Sequence, residues 1–386
     1  MIHFSQISKE EFLAEYWQKK PLLIKQAIPN FISPLSPDEL AGLSCEEDFE
    51  SRVVKGSTKK NNWSLENGPF NDDYFESLPK NEWSLLIQGV DKHILEVYKM
   101  IEEFDFIPRW RFDDVMISFA AKGGSVGPHY DHYDVFLLQG LGRRQWQISS
   151  LNCHPNNYIK HSELRIMESF QIEDTLVTEP GDILYIPPGI AHHGTSLDKE
   201  CITLSFGYRS YSANEMMETL DLKPDKQNND YYNDPKWLTE MGKSEIPNES
   251  VAQALKLLNV DHLPTDFFGC FVTRLDLFDQ QKFDEMMAFE EPIEIEKSTS
   301  YLLSPICRVA YQMIDSELHV FINGESFDTQ FFDNELLINF CNSRMIEIND
   351  QNFKVPHVGW NTFKGHKNHT IFKSLINQTA NAIKSI

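Results

Sequence analysis

The spacing of apolar residues changes twice along this chain. Near the N-terminus, Phe12, Tyr16 and Trp17 recur at helical spacing behind Ser8-Lys9-Glu10-Glu11, a capping-box start, and Pro21 ends the run. Leu22-Leu23-Ile24 then reads as a short strand. Ser36-Pro37-Asp38-Glu39 opens a second helix, with Ser36 as cap and Pro37 in the first turn. The pattern from Trp83 to Ile101 is again helical.

Between about 112 and 209 the character changes. Val115–Ala120, Val135–Leu138, Gln145–Ile148, Asp182–Ile186 and Ile202–Phe206 are short β-rich runs. Gly123-Gly124, Gly127-Pro128, Gly140/Gly142, Pro180-Gly181 and Pro187-Pro188-Gly189 separate them. Many short strands with Gly/Pro turns predict a barrel or jelly roll. Past Tyr208-Arg209 the chain is polar and helical again. Residues 228–235 read as a loop, Glu249–Leu258 and Phe267–Phe278 as amphipathic helices, and the Glu-rich 290–296 as a linker. The remainder alternates helical runs with a strand and turn at Leu318–Gly324, and no internal repeat is present.

A length of 386 residues exceeds one ordinary core and predicts two or three domains. Lys and Arg total 35 against 58 Asp and Glu, a net charge of −23. That surface repels phosphate and anionic lipid and attracts basic partners, so neither direct nucleic-acid binding nor membrane binding is expected. The six cysteines are scattered without a Cys-x-x-Cys pair, which is neither a disulfide framework nor a zinc finger. No signal-peptide run opens the chain, and no stretch approaches the ~18 apolar residues of a membrane span. The expectation is a cytoplasmic protein.

The chemistry concentrates in Gly127-Pro128-His129-Tyr130-Asp131-His132-Tyr133-Asp134. Residues i and i+2 of a strand share a face, so His129 and Asp131 can hold one metal ion. Pro187-Pro188-Gly189-Ile190-Ala191-His192-His193 offers a third ligand, on a turn after an apolar strand. Two histidines and a carboxylate form a facial triad with three open positions, suited to Fe(II), a chelating co-substrate and O2. His132-x-Asp134 is a rival pair on the opposite strand face, and His193 competes with His192 in the same way. The Gly127-Pro128 turn, which precedes the first ligand in cupin-type folds, favours His129 and Asp131. The co-substrate needs an anion anchor. Arg143 and Arg144 begin the next strand, and Arg144 shares parity with Trp146, an aromatic expected to be buried. An arginine held on strand backbone can clamp a carboxylate bidentately. Ser118, one strand earlier, could donate to the same carboxylate.

These fragments resemble the bacterial ribosomal oxygenases of the Jumonji-C family. The likeness is carried by Gly127-Pro128-His129-Tyr130-Asp131 with Tyr133-Asp134-Val135-Phe136, by Gly142-Arg143-Arg144-x-Trp146, and by Glu179 to Gly189. It extends to Tyr16-Trp17-Gln18-Lys19-Lys20-Pro21, to Ile32 through Leu43, to Tyr231-Tyr232-Asn233-Asp234-Pro235 and, more thinly, to Val320 through Glu325. His132 stands where the family has a glutamine and His193 where it has a glutamate, so spare imidazoles flank the triad.

The resemblance implies an α+β chain built on a double-stranded β-helix, the cupin or Jumonji-C jelly roll, with N-terminal helices. It implies an oxygenase domain over 1–210, a helical dimerisation region over 211–285 and a winged-helix-like domain over 286–386. His129, Asp131 and His192 would hold iron, and Arg144 and Ser118 would bind the distal carboxylate of 2-oxoglutarate. The implied reaction consumes O2 and 2-oxoglutarate and hydroxylates an arginine β-carbon in a basic large-subunit ribosomal protein, by a homodimer. Two other readings use the same residues: a 2-oxoglutarate oxygenase acting as a demethylase or on a small molecule, and a non-enzymatic cupin-type regulator.

Overall fold

In the computed structural model the β-rich centre of the chain forms two facing antiparallel sheets. The structure describes residues 2–4, 6–60, 62–160, 164–223, 230–237, 241–289, 300–330 and 332–347. They fall into two units, residues 1–104 with 112–210, and residues 105–111 with 211 onward.

The first unit contains β1 (Leu22–Ile24), β2 (Ser51–Lys55), β3 (Ser64–Asn67), β4 (Trp83–Ile87), β5 (Phe112–Ala120), β6 (Val135–Leu141), β7 (Arg144–Ser149), β8 (Asp174–Thr178), β9 (Ile183–Ile186), β10 (Ala191–Ser196) and β11 (Cys201–Tyr208). The larger sheet runs β1-β9-β6-β11-β5-β4-β2-β3 and the smaller β10-β7-β8. Sequence-distant strands lie side by side, which gives the double-stranded β-helix of the Jumonji-C and cupin jelly roll.

Strand parity explains why these runs are apolar throughout. Val135 and Leu137 of β6 and Leu184 and Ile186 of β9 meet Trp146 and Ile148 of β7 in one buried cluster between the sheets. Phe136 and Tyr185, on the other face of the same strands, pack against Phe12 of α1 (Lys9–Glu15) and against Trp17. With both faces covered, alternation gives way to continuous hydrophobic sequence. Ser8 accepts a hydrogen bond from the Glu11 amide at the start of α1, and a full capping box at Ser36 and Glu39 opens α2 (Pro37–Leu43). The helices α3 (Asp72–Ser77) and α4 (Leu95–Met100) complete the unit. Buried Asp182 ties the Pro180-Gly181 turn to the N-terminal segment, accepting from the Glu179 and Gln26 amides and pairing with Lys25.

The helix expected from Trp83 to Ile101 is corrected by the structure. Trp83–Ile87 is strand β4, paired with β2 on one edge and β5 on the other, and only Leu95–Met100 is α-helical. The run Leu85-Leu86-Ile87 is buried, and sheet hydrogen bonds on both edges override a helical apolar period. β2, β3 and β8 are short and mix polar with apolar residues, so none presents a continuous apolar run.

The second unit contains α5 (Ala213–Thr219), α6 (Asn248–Leu258), α7 (Phe267–Thr273), α8 (Leu277–Phe289) and α9 (Asn334–Ser343). Its strands are β12 (Ser300–Leu302), β13 (Val309–Ile314), β14 (Glu317–Ile322), β15 (Glu325–Phe327) and β16 (Met345–Glu347), arranged as β12-β16 and β13-β14-β15. The single helix expected over Phe267–Phe278 is two: Arg274 is extended, and Asp276 accepts from the Asp279 amide to start the next. Buried Arg111 and Asp234 pair through Arg111 Nε at 2.9 Å, with the guanidinium over the rings of Trp110, Tyr211 and Tyr232. The expected linker at 290–296 and the chain from 348 onward lie outside the described residues, as do 228–229 of the expected loop.

Candidate metal and co-substrate site

His129 and Asp131 lie on a short extended segment before β6, and His192 lies on β10. The expectation of a turn at His192 is therefore corrected to a strand. Reciprocal backbone hydrogen bonds join the two histidines, from His129 N to His192 O at 3.1 Å and from His192 N to His129 O at 2.8 Å. The Nε2 atoms of both imidazoles stand 3.7 Å from Asp131 Oδ2, and one potential ligand atom from each of the three residues lies within 4.8 Å of the others. Among the described residues this is the one such cluster of three or more His, Cys, Asp or Glu.

The backbone also selects the tautomers. His129 Nδ1 meets Gly127 O at 2.9 Å and His192 Nδ1 meets Ile190 O at 3.2 Å. A carbonyl can only accept, so each Nδ1 carries a proton and each Nε2, the atom facing Asp131, is the one left to ligate a metal. Burial, then neighbouring His129, lowers the His192 pKa to about 4, which keeps the ring neutral as a metal ligand must be. Gly127 has φ +83°, and a Cβ there would lie 2.9 Å from Ile166, so the turn that feeds His129 is built for glycine.

The rival groups point elsewhere. Asp134 is buried and accepts hydrogen bonds from Tyr185 Oη at 2.5 Å and Gln18 Nε2 at 3.0 Å. His132 lies edge-on to the Tyr130 ring, and His193 Nδ1 meets Gln147 Oε1 at 3.2 Å. Burial lowers the pKa of both.

Arg143 turns outward and pairs with Asp198. Arg144 turns inward, 3 % exposed, with its guanidinium 4.9 Å from the centre of the Trp146 ring. Its contacts are long: Nη1 to Thr203 Oγ1 at 3.5 Å and Nη2 to Gly194 O at 3.4 Å. Nε has no hydrogen-bond partner, and no carboxylate among the described residues pairs with it. Burial lowers the guanidinium pKa, so a desolvated cation faces the barrel interior without an anion. It meets Gly194 two residues along β10 from His192, roughly 7 Å at strand rise. The donor set of two imidazoles, one carboxylate and an orphaned buried arginine fits iron with 2-oxoglutarate. Ser118 is buried on β5 directly opposite Thr203 and donates to Thr203 O at 3.4 Å, which places it beside the residue that touches Arg144.

Sequence reading missed several groups around this cavity. Gln139, Thr178 and Thr203 form a buried polar cluster behind Arg144. The signal for Gln139 was a glutamine at inward parity closing the apolar run of β6. Gly194 leaves room for Arg144 and Trp146. Tyr133 is partly exposed and sits among Asp131, Asp114 and Asp113, and the negative charges, Asp131 first, push its phenol well above the ordinary range.

Residues 99–216 match the JmjC domain family. The chain is 36% identical over 270 residues to the ribosomal protein uL16 3-hydroxylase of Escherichia coli (strain K12), covering 68% of this chain and 71% of that one. An X-ray structure of E. coli YcfD superposes with a TM-score of 0.68 at 29% identity, covering 95% of this chain and 98% of that one. YcfD, a ribosomal oxygenase from E. coli, in complex with cobalt and 2-oxoglutarate, gives 0.64 at 27% identity, over 95% and 98%. At 36% identity over more than two thirds of that relative, this chain belongs to the Jumonji-C family of ribosomal oxygenases.

Proposed function

We propose that this protein is an iron(II)- and 2-oxoglutarate-dependent dioxygenase that hydroxylates an arginine in a basic large-subunit ribosomal protein. One observation carries the reading. Two imidazoles with backbone-locked Nδ1 protons and one carboxylate converge opposite a buried arginine that lacks an anion. When bound, iron and 2-oxoglutarate supply the oxidising chemistry that consumes O2 and yields succinate and CO2. The chain supplies placement. His129, Asp131 and His192 hold the metal, Arg144 takes the distal carboxylate with Ser118 beside it, and the apolar inter-sheet cluster excludes water.

The arginyl substrate is supported by charge. Asp113 lies near Tyr133 and Asp131 and pairs with Arg209 at 3.3 Å, while buried Asp114 accepts hydrogen bonds from Gln88 and the Gly89 amide. The net charge of −23 would attract a basic ribosomal protein. We further assign the helical region 211–285 to homodimerisation and 286–386 to a winged-helix-like module that packs or binds a protein rather than nucleic acid. Exposed Leu222 and Leu277 support the first assignment and the acidic charge the second. Among the described residues no helix is long and apolar enough to cross a membrane, and the ribosomal substrate supports a cytoplasmic location.

The test is iron-dependent succinate production with a gain of one oxygen mass on an arginine of a ribosomal-protein peptide. Turnover retained by His129→Ala would sink the site assignment, and formaldehyde release in place of the oxygen gain would make the protein a demethylase.

A further inference from the structure

Gln139 spans the space between the two sheets, and all its polar atoms are used. Its Nε2 donates to Leu141 O at 2.8 Å and Ile202 O at 3.0 Å, and also contacts Cys201 Sγ at 3.3 Å. Carbonyl oxygens only accept, so the amide cannot flip, and Oε1 must face the threonines. There it accepts from Thr178 Oγ1 at 3.0 Å and Thr203 Oγ1 at 3.3 Å. A hydroxyl has one proton. With that proton committed to Gln139, each threonine oxygen is left as an acceptor toward its other neighbour. Thr203 Oγ1 faces Arg144 Nη1 at 3.5 Å, and Thr178 Oγ1 faces Trp146 Nε1 at 3.2 Å. Thr178 also lies 3.4 Å from Arg144 O, a longer contact than the one to Gln139. One amide oxygen therefore orients a hydroxyl against the guanidinium and another against the indole on which that guanidinium stacks.

We propose that Gln139 is a positioning residue for 2-oxoglutarate. It touches neither metal nor co-substrate, and it acts by polarising Thr203 and Thr178 so that Arg144 is held from two sides before the anion arrives. Register supports the arrangement: Thr203 of β11 stands directly opposite Ser118 of β5 and Gln139 of β6, so the three side chains form one row across the inner face. Without the Gln139 carbonyl the Thr203 hydroxyl is free to turn its proton toward Arg144, donor against donor. The inference rests on the reading of Arg144 as the co-substrate anchor.

The experiment is calorimetric titration of 2-oxoglutarate into the full chain loaded with Mn(II), for wild type, Gln139→Met, Thr203→Val and Thr203→Ser. Loss of one oriented hydrogen bond weakens binding roughly tenfold. Gln139→Met and Thr203→Val are expected to show that loss, Thr203→Ser to stay near wild type, and the double variant Gln139→Met/Thr203→Val to be no weaker than Gln139→Met alone. In turnover the KM for 2-oxoglutarate should rise with kcat nearly unchanged. The Arg144 Nε–H resonance of the metal-free protein should broaden in Gln139→Met. If Gln139→Met does not fold, the Thr203 pair carries the test, because valine keeps the volume and serine the hydroxyl. Wild-type affinity in Gln139→Met, or additive losses in the double variant, overturns the proposal while the Arg144 assignment stands. Failure of wild type itself to bind 2-oxoglutarate overturns both.

Discussion

Gly194→Ala adds one methyl group where Arg144 and Trp146 pack against strand β10. A Cβ at Gly194 would lie 2.5 Å from Arg144 Nε and 2.5 Å from Trp146 Cζ3, where ordinary contacts are 3.4–4 Å. Arg144 and Trp146 are 3 % and 5 % exposed, so neither side chain has free space to retreat into. One of them must move by about an ångström. Overpacking of this kind costs ~1–3 kcal/mol, against which alanine's smaller unfolded-state entropy returns only ~0.4–1 kcal/mol. The functional cost is larger, since a 1 Å misplacement of a binding group can lower rate or affinity by ~100-fold. The variant is therefore expected to fold and keep its metal, because His192 is unchanged, while its KM for 2-oxoglutarate rises by one to two orders of magnitude. The assays are metal content, thermal unfolding, and succinate formation across a 2-oxoglutarate titration. Gly194→Ala/Trp146→Leu should not restore affinity, because the surface beneath the guanidinium is lost. A Gly194→Ala enzyme with wild-type KM and stability would refute the reasoning that Arg144 must occupy its present position.

Three further outcomes follow from other parts of the molecule. His129→Ala, Asp131→Ala and His192→Ala should each lose the thermal stabilisation that divalent metal confers, ~2.7 kcal/mol at a hundredfold excess over Kd, whereas His132→Ala and His193→Ala should retain it; a shift surviving in any of the first three disproves that ligand. Asp114 is buried, and burial with the charges of Asp113 and Asp91 holds its carboxyl up to about 7, against ~3.9 in the unfolded chain. The folded state then binds a proton that the unfolded state releases, so stability falls as pH rises from about 4 to about 7. Asp114→Asn should flatten that part of the urea-unfolding profile, and a slope parallel to wild type excludes the assignment. Arg111→Met strands the buried Asp234 carboxylate without its cation and should cost ~3–5 kcal/mol in denaturant unfolding. A loss below ~1 kcal/mol would mean that Asp234 takes up a proton or water instead.

Legibility of the fold followed burial on two faces. β6, β9 and β11 are covered on both sides and announce themselves as apolar runs. β8, with an exposed face and the sequence Asp174-Thr-Leu-Val-Thr178, carries no such run and was unreadable. Trp83–Ile87 shows the converse failure: its apolar spacing suits either a helix or a doubly covered strand, and only the hydrogen bonds offered by β2 and β5 decide between them.

The candidate site was legible in its types and ambiguous in its choices, for a physical reason. Overlapping His-x-Asp pairs differ only in parity, and parity has meaning only once a cavity exists on one side of the strand. Asp134 shows how the choice is made. Its carboxylate is consumed by Tyr185 and by Gln18, the latter 116 residues away, so it serves as a buried structural acceptor rather than as a ligand. Local sequence cannot reveal that competition. The same holds for Arg144, whose role depends less on its neighbours in sequence than on what it lacks in space. A buried guanidinium with an unpartnered Nε is costly unless an anion arrives, and the fold keeps one pointed into the cavity that the two histidines and Asp131 close. The orphaned donor is therefore a stronger argument for a carboxylate co-substrate than the triad itself, which by chemistry alone would suit several metals and reactions.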